Sequence, residues 1–146
     1  MPSAERFGAS SSCWAAFSAV LDREYQSSRL FTDIHTLTID SYSAQHPRDL
    51  HDLSLAVHLI RLHCVFELGW DTGSAAARSL RFARRGRDYD HLDAPSEPGE
   101  LTVAHVLWAT SELDHVRRVW EWAESVWQSW RPQHDRVAAW AERDAS

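Results

Sequence analysis

IHTLTIDSYSAQHP (residues 34–47) and HDLSLAVHLIRLHCVFELG (residues 51–69) are the two stretches that decide the fold, and they hold five of the nine histidines. The second stretch is apolar nearly all round, which is typical of a helix surrounded by other elements. Asp49 can cap its start, and Gly69 suits the left-handed conformation that often follows a helix. We therefore predict a central helix over residues 50–68.

The stretch 34–47 predicts a helix of its own, which begins after a cap at Thr32 or Asp33 and ends before Pro47, because proline disfavours helical angles in the preceding residue. A strand is the rival interpretation, since several residues are β-branched. The length of the stretch and one stripe at helical spacing favour a helix. The members of that stripe are His35, Ile39, Tyr42 and His46.

Helical periodicity continues on both sides of this pair. On the N-terminal side, a helix over residues 11–27 carries an apolar stripe that includes one carboxylate, Glu24. On the C-terminal side we predict a basic helix over 74–85, a surface loop over 86–99, a short helical segment over 102–109, a long amphipathic helix from the Ser111–Asp114 capping box to residue 130, and a last helix over 132–143. The prediction is an all-α, single-domain bundle of about five to six helices over residues 11–144, after a flexible tail over residues 1–10.

Several side chains on these helices have an expected environment. Trp120, Trp127 and Trp130 share the apolar stripe of the long helix, so core packing explains them, whereas Trp122 lies off that stripe. On the central helix, His63 falls on the polar strip and is expected to face water.

The composition excludes several classes of protein. A net charge of −6 over 146 residues argues against a nucleic-acid binder, and the arginine-rich run 78–87 is interpreted as a solvated helix face. No apolar run reaches the roughly 18 residues of a membrane span, and no signal peptide is recognisable, so we expect a cytoplasmic protein without membrane contact. Cys13 and Cys64 are expected to be buried thiols and not part of a disulfide framework or a C-x-x-C zinc site. The chain has no lysine, which excludes a lysine Schiff base.

Glu24, His35 and His58 form the sharpest candidate site. If the first two helices form an antiparallel hairpin, Glu24 lies level with His35, and a second turn near residue 48 brings His58 within about one and a half turns of that level. One carboxylate and two imidazoles are a recognised ligand set for zinc or non-haem iron. We therefore predict one divalent metal ion here, zinc, iron or nickel. The alternative is that both histidines are core residues with hydrogen bonds to the backbone or to each other.

Glu112 and His115 are a second candidate pair, because they have the i, i+3 spacing used twice in di-iron carboxylate bundles. The motif occurs once here, so Glu112 is expected either to supply a further ligand or partner to the first site or to cap its helix. His46 lies about 16 Å from His35 along a continuous helix. It is better explained as an anchor of the turn at Pro47.

Four motifs in this order resemble a bacterial family known only as domain of unknown function 5946. They are H-x-L-T-I-D-x-Y-x-x-Q-H-P (35–47), A-V-H-L (56–59), L-T-V (101–103) and W-A-E-S-V-W-Q-S-W-x-x-x-H (122–134), and the resemblance spans about residues 13–142. Many members begin with a C-x-x-C element that resembles a zinc knuckle; this chain has only Cys13 there, so that zinc site is not carried over. The resemblance implies no reaction. It implies that a set of polar residues belongs to the family pattern: His35, Asp40, Tyr42, Gln45, His46, Pro47, His58 and His134.

The leading hypothesis is a histidine-rich interior site that binds a divalent metal for hydrolysis or group transfer on an unknown small molecule. The binding candidates around it are Tyr42, His46, Glu112, His115 and His134. The competing hypothesis is a non-enzymatic bundle that binds a small ligand or a protein, with structural histidines. A third is a homodimer that buries the tryptophan-bearing C-terminal helices.

Overall fold

The computed structural model describes residues 11–84 and 88–145, and within these ranges every regular element is a helix. The predicted tail over residues 1–10 lies outside them, as do residues 85–87 of the predicted helix end and loop. The elements are α1 Ser11–Tyr25, α2 Ser28–Asp33, α3 His35–Gln45, α4 Asp52–Phe66, α5 Thr72–Arg84, α6 Val103–Leu107, α7 Glu112–Ser129, a 3-10 helix Arg131–Gln133 and α8 His134–Ala145. The all-α prediction is confirmed.

The described helices number eight, against the five to six expected. The addition that the sequence did not predict is α2. It begins because Ser27 caps it, with Oγ accepting from the amide of Leu30, and it ends at Ile34, whose backbone φ of −132° breaks the helical path. The caps predicted at Thr32 and Asp33 are therefore wrong, and α3 starts at His35 without a side-chain cap.

The central position predicted for α4 is confirmed. It packs against α3, α5, α7 and α8, while α3 also packs against α7 and α1 packs against α6. Gly69 follows α4 with φ of +70°, the left-handed conformation expected at a helix end. Within the described ranges, each helix is too short or too polar to cross a lipid bilayer.

Some of the expected side-chain environments are wrong. Trp127 and Trp130 are fully buried as predicted, but Trp120 is only partly buried, whereas Trp122 is completely enclosed. The indole N–H of Trp122 donates to Oε1 of Gln45 on α3, at 2.9 Å, and this polar partner is why a ring off the apolar stripe can be buried. His63 is also buried rather than exposed, because α7 and α8 cover that part of α4.

Candidate functional site

Glu24, near the end of α1, is a fully buried carboxylate that accepts three hydrogen bonds. Nδ1 of His35 donates to Oε1 at 2.9 Å, and Oε2 accepts from Thr38 Oγ1 at 2.5 Å and from His115 Nε2 at 2.8 Å. Three helices thus meet at one side chain. Glu24 lies level with His35, as expected of a hairpin, while their role as metal ligands stays a prediction.

The local order of the helices explains this meeting. The short α2 lies between α1 and α3, and the hydrogen bonds of Glu24 show that the end of α1 faces the start of α3. His35 and Thr38 are three residues apart on α3 and therefore lie on the same side of it. His115 lies in the first turn of α7, which packs along α3.

Arg23 decides which nitrogen of His115 carries the proton. Its Nη1 lies 3.1 Å from Nδ1 of His115, while Nη1 and Nη2 also donate to the carbonyls of Val106 and Leu107. A guanidinium has donors only, so Nδ1 of His115 must accept. The ring is therefore neutral with its proton on Nε2, from which it donates to Glu24.

The pKa of Glu24 reflects two opposing effects. Burial by itself raises the pKa of this carboxyl, but the hydrogen bonds from His115, His35 and Thr38 outweigh burial and hold the pKa below its ordinary value of 4.5. Glu24 is thus a charged carboxylate inside the protein, and its charge is stabilised by hydrogen-bond donors. Among the described residues it has no arginine partner.

His35 is the part of this network that reaches the surface, with 13% of its side chain exposed. Its ring stacks on Phe31, with centroids 4.7 Å apart, and contacts Tyr25 at 4.9 Å. Both neighbours are large and exposed, Tyr25 by 63% and Phe31 by 48%. Nε2 of His35 has no hydrogen-bond partner among the side chains and backbone groups that the structure describes.

His58 belongs to a different cluster, which corrects the predicted convergence of Glu24, His35 and His58. Nδ1 of His58 lies 2.7 Å from Oδ1 of the buried Asp40, and Arg61 binds the same carboxylate through Nε and Nη2. Asp40 comes five residues after His35, which at 100° per residue turns it about 140° around α3. His58 therefore approaches a different face of α3 from the one that carries His35.

The two carboxylate–histidine pairs differ in charge. Arg61 neutralises Asp40 with hydrogen bonds of 2.6 to 3.0 Å and fixes its own Nη1 to Ser79 Oγ at 3.0 Å. This cluster joins α3, α4 and α5, and the positive charge of Arg61 compensates the negative charge of Asp40. At Glu24 the charge has no such cation beside it, so the Glu24–His35 pair is the better acid–base candidate.

Within the described residues, no group of three His, Cys, Asp or Glu side chains is arranged to hold a metal ion. The ligand set predicted from the sequence is thus not assembled, since His58 joins Asp40 instead. Metal binding itself stays a prediction.

Tyr42 and His46, two of the predicted binding residues, stabilise the end of α3. The Tyr42 ring stacks on Phe17, with centroids 3.7 Å apart, and it contacts the tilted ring of His46, with centroids 4.3 Å apart. Burial and the nearby Cys13 raise the pKa of Tyr42 to about 12. Nδ1 of His46 lies 3.1 Å from the carbonyl of Tyr42, so His46 anchors the helix end before Pro47, as the sequence suggested.

Glu112 and His134 also have partners outside the Glu24 network. Glu112 accepts from Ser27 Oγ at 2.6 Å and so links the start of α7 to the start of α2. His134 stacks on Trp127 at 3.9 Å and donates from Nε2 to the carbonyl of Trp127. Of the predicted pair Glu112 and His115, only His115 reaches Glu24.

A surface groove lies elsewhere. It measures about 1040 Å³ and runs between residues 93–101 and the C-terminal half of α7, with an acidic lining. None of its lining residues belongs to the Glu24 network. The hydrogen bonds at Glu24 carry a more specific chemical signal than the volume of a groove, so we place the candidate site at His35.

Sequence patterns did not reveal four residues of the site, Arg23, Tyr25, Phe31 and Thr38. Arg23 points away from the apolar stripe of α1 on a helical wheel, and its contact partners lie on α6 and α7. Tyr25 and Phe31 flank the unpredicted helix α2. Only Thr38 had a signal, since it falls one helical turn after His35.

The chain was compared with known proteins. The model of the family of unknown function DUF5946 matches residues 3–131. No curated protein matches the chain, and no solved structure does. Because the family model covers most of the sequence, this chain belongs to the family of unknown function DUF5946.

Proposed function

We propose that this chain carries an acid–base site at which His35 moves a proton for a small apolar or aromatic substrate. One observation supports the proposal most directly: His35 donates from Nδ1 to a fully buried carboxylate, while its Nε2 has no partner among the described residues. In hydrolases with a carboxylate–histidine pair, this orientation leaves the second nitrogen available to take a proton from a nucleophile.

The proposed reaction is general-base hydrolysis or group transfer. Nε2 of His35 takes the proton of a water molecule or a substrate hydroxyl as its oxygen forms a bond to the acyl carbon or phosphorus of the substrate, while the Nδ1–H stays on the ring and bonded to Glu24. Glu24 stabilises the imidazolium that forms. The bond from that carbon or phosphorus to the leaving group then breaks, the proton passes from Nε2 to the leaving group, and the ring returns to its neutral form. Assistance of this kind contributes a rate factor of about 10²–10⁴.

The choice of an apolar or aromatic substrate follows from the rings beside His35. Tyr25 and Phe31 lie 5.7 Å apart, centroid to centroid, and both contact His35. Exposed aromatic rings next to a reactive group offer a flat apolar surface on which a ligand can stack.

Hydrolysis of p-nitrophenyl acetate, p-nitrophenyl butyrate and p-nitrophenyl phosphate tests the proposal. Each rate is compared with that of free imidazole, because a surface histidine alone hydrolyses activated esters. We expect the wild type to exceed imidazole by at least about 100-fold on one substrate and His35→Ala to fall to the imidazole level. The matched control is His91→Ala, which removes an exposed histidine and should leave the rate unchanged.

Equal rates for wild type and His35→Ala on every substrate would overturn the proposal. Retained ligand binding without turnover, seen as Tyr25-dependent binding of a non-hydrolysable aromatic ester analogue, would favour the non-enzymatic alternative.

A metal-assisted form of the reaction is a second candidate. Metal-binding histidines usually donate their other ring nitrogen to a carboxylate, as His35 does to Glu24. Elemental analysis of protein purified without an affinity tag tests this form. Near-stoichiometric zinc, iron or nickel that is lost in His35→Ala supports it, and full activity after chelator treatment removes it.

A further inference from the structure

We propose that a second copy of this chain docks on the His35 end of the bundle, which is formed by the end of α1, by α2 and by the start of α3. The substrate then binds in a cleft between the two copies. The cleft rests on the proposed function, whereas the docking of two copies does not depend on it.

The large hydrophobic side chains that are exposed among the described residues all lie at the His35 end. Tyr25 is the last residue of α1 and Phe31 belongs to α2, and their ring centroids are 5.7 Å apart. Trp108 follows Leu107, whose carbonyl accepts from Arg23 at 3.0 Å. This hydrogen bond places Trp108 beside the end of α1.

Two exposed leucines are held at the same end by neighbouring hydrogen bonds. Leu113 follows Glu112, which accepts from Ser27, between α1 and α2, at 2.6 Å. Leu68 lies between the end of α4 and the start of α5, and the first residue of α5, Thr72, donates to the carbonyl at the end of α2 at 2.9 Å. The fold therefore gathers exposed apolar groups from distant parts of the chain at one end.

The area that these side chains leave uncovered is that of an interface. Trp108 is exposed by 72%, Leu113 by 69% and Leu68 by 51%, in addition to Tyr25 and Phe31. At roughly 200 Å² for a large side chain, the five expose about 600 Å² in each chain. A standard interface buries about 800 Å² per partner, of which about 65%, or roughly 500 Å², is apolar in homodimers. The His35 end can therefore supply one half of a dimer interface.

The charges at the His35 end favour a second copy over a membrane surface. The exposed charged residues there include Arg29 but also Asp22, Asp33 and Asp71. Binding to anionic lipids needs clusters of lysine and arginine, which these carboxylates oppose. In a two-fold dimer the same end of each copy faces the other, and charged groups can stay hydrated at the rim of the contact.

The tryptophan-bearing C-terminal helices offer less surface for such a contact. Trp122, Trp127 and Trp130 are enclosed within the chain, and Trp140 is buried too. A dimer is therefore expected at the His35 end and not along α7 and α8.

Docking would change the surroundings of His35. In the single chain its ring lies against Phe31 and Tyr25, and 13% of its side chain is exposed to solvent. A second copy supplies the opposite wall and excludes bulk water from the cleft. The carboxylate of Glu24 then interacts more strongly with the imidazolium that forms during proton transfer.

Analytical ultracentrifugation from micromolar to near-millimolar concentration tests the docking. We expect the wild type to form a reversible dimer with twice the mass of the 16.7 kDa chain. Leu113→Glu and Trp108→Glu should each raise the dissociation constant at least about tenfold. The matched control is Gln128→Glu, which adds the same charge at an exposed position near the other end of α7 and should dimerise as the wild type does.

Modification by diethyl pyrocarbonate, followed by mass spectrometry, tests whether the partner covers His35. At a concentration where the wild type is dimeric, His35 should react several times more slowly in the wild type than in Leu113→Glu. His91 is the internal control, because 68% of its side chain is exposed and it binds Asp52 at the start of α4, at the opposite end of the bundle. It should react equally in both proteins.

Three results would overturn the docking: a wild-type monomer at every concentration, variants that dimerise as tightly as the wild type, or equal reaction of His35 in the wild-type dimer and in Leu113→Glu. A wild-type monomer that binds phosphatidylcholine vesicles through Trp108 would assign this end to a membrane instead. Neither measurement needs turnover. A failed hydrolysis assay with a positive dimer result therefore removes the proposed function and leaves the docking surface intact, whereas full hydrolytic activity in monomeric Leu113→Glu would overturn the shared cleft.

Discussion

Replacing Glu24 with alanine should cost about 2 kcal/mol of folding free energy. The change removes the acceptor of three donors: Nε2–H of the fully buried His115 is left without one, whereas the buried hydroxyl of Thr38 keeps the carbonyl of Ile34 at 3.3 Å. Each buried donor left unsatisfied costs about 1–3 kcal/mol, whereas His35 can turn to water. The variant also avoids the cost of burying the charged carboxylate of Glu24, so the net loss of stability is smaller than the sum of these costs.

Urea denaturation at pH 7 measures the loss as a lower midpoint at unchanged slope. Asp22→Ala is the matched control, because it removes an exposed carboxylate from the same helix and should change stability by less than about 0.5 kcal/mol. Thr38→Val should fall between the two. A loss below about 1 kcal/mol for Glu24→Ala would refute the reasoning, since it would mean that the three hydrogen bonds add little to folding.

Three further predictions concern pH and packing. Burial lowers the pKa of His63 below its ordinary value of 6.5, so the unfolded chain binds more protons than the folded one in acid. Stability should therefore fall as the pH drops below about 6.5. In urea denaturation at several pH values, His63→Gln should make the stability depend less steeply on pH. The same pH dependence in wild type and variant would contradict the prediction. Gly99→Ala should lower stability by about 2 kcal/mol in thermal unfolding, because φ of Gly99 is +100° and the new Cβ would lie 2.9 Å from Ser125 Oγ. An unchanged stability would contradict this prediction and would show that the loop can move away from Ser125. Gln45→Leu should lower the free energy of unfolding by about 2 kcal/mol in urea denaturation, because the indole of Trp122 and the carbonyls of Pro98 and Leu101 lose their partner. Gln26→Leu, at an exposed position, is the control. Equal effects of the two variants would disprove the role of the Gln45 amide.

The Gln45 amide explains part of the stretch 35–47 in physical terms. It donates to the carbonyls of Pro98 and Leu101 and accepts from Trp122, so it joins α3, the segment before α6, and α7. An amide is suited to this position because it combines donors and an acceptor in one side chain. His46 next to it closes the end of α3. Much of the motif that carries the resemblance therefore builds the fold.

Sequence periodicity was sufficient for the long helices. Residues at helical spacing share a face, and this spacing placed Glu24 inside the apolar stripe of α1. The level match between Glu24 and His35 followed from the length of the connection. The short α2 was missed because its cap, Ser27, lies within the predicted end of the first helix.

The sequence by itself determined the helical class, the central α4 and the level match of Glu24 with His35, because each depends on spacing along one helix or across one short turn. Only the tertiary structure decided that His58 binds Asp40, that His115 reaches Glu24 and that Arg23 reaches His115. Those contacts join residues 18 to 92 positions apart, and they depend on how each helix is rotated about its axis. That rotation is set by packing against several neighbours at once, which no single helical stripe contains.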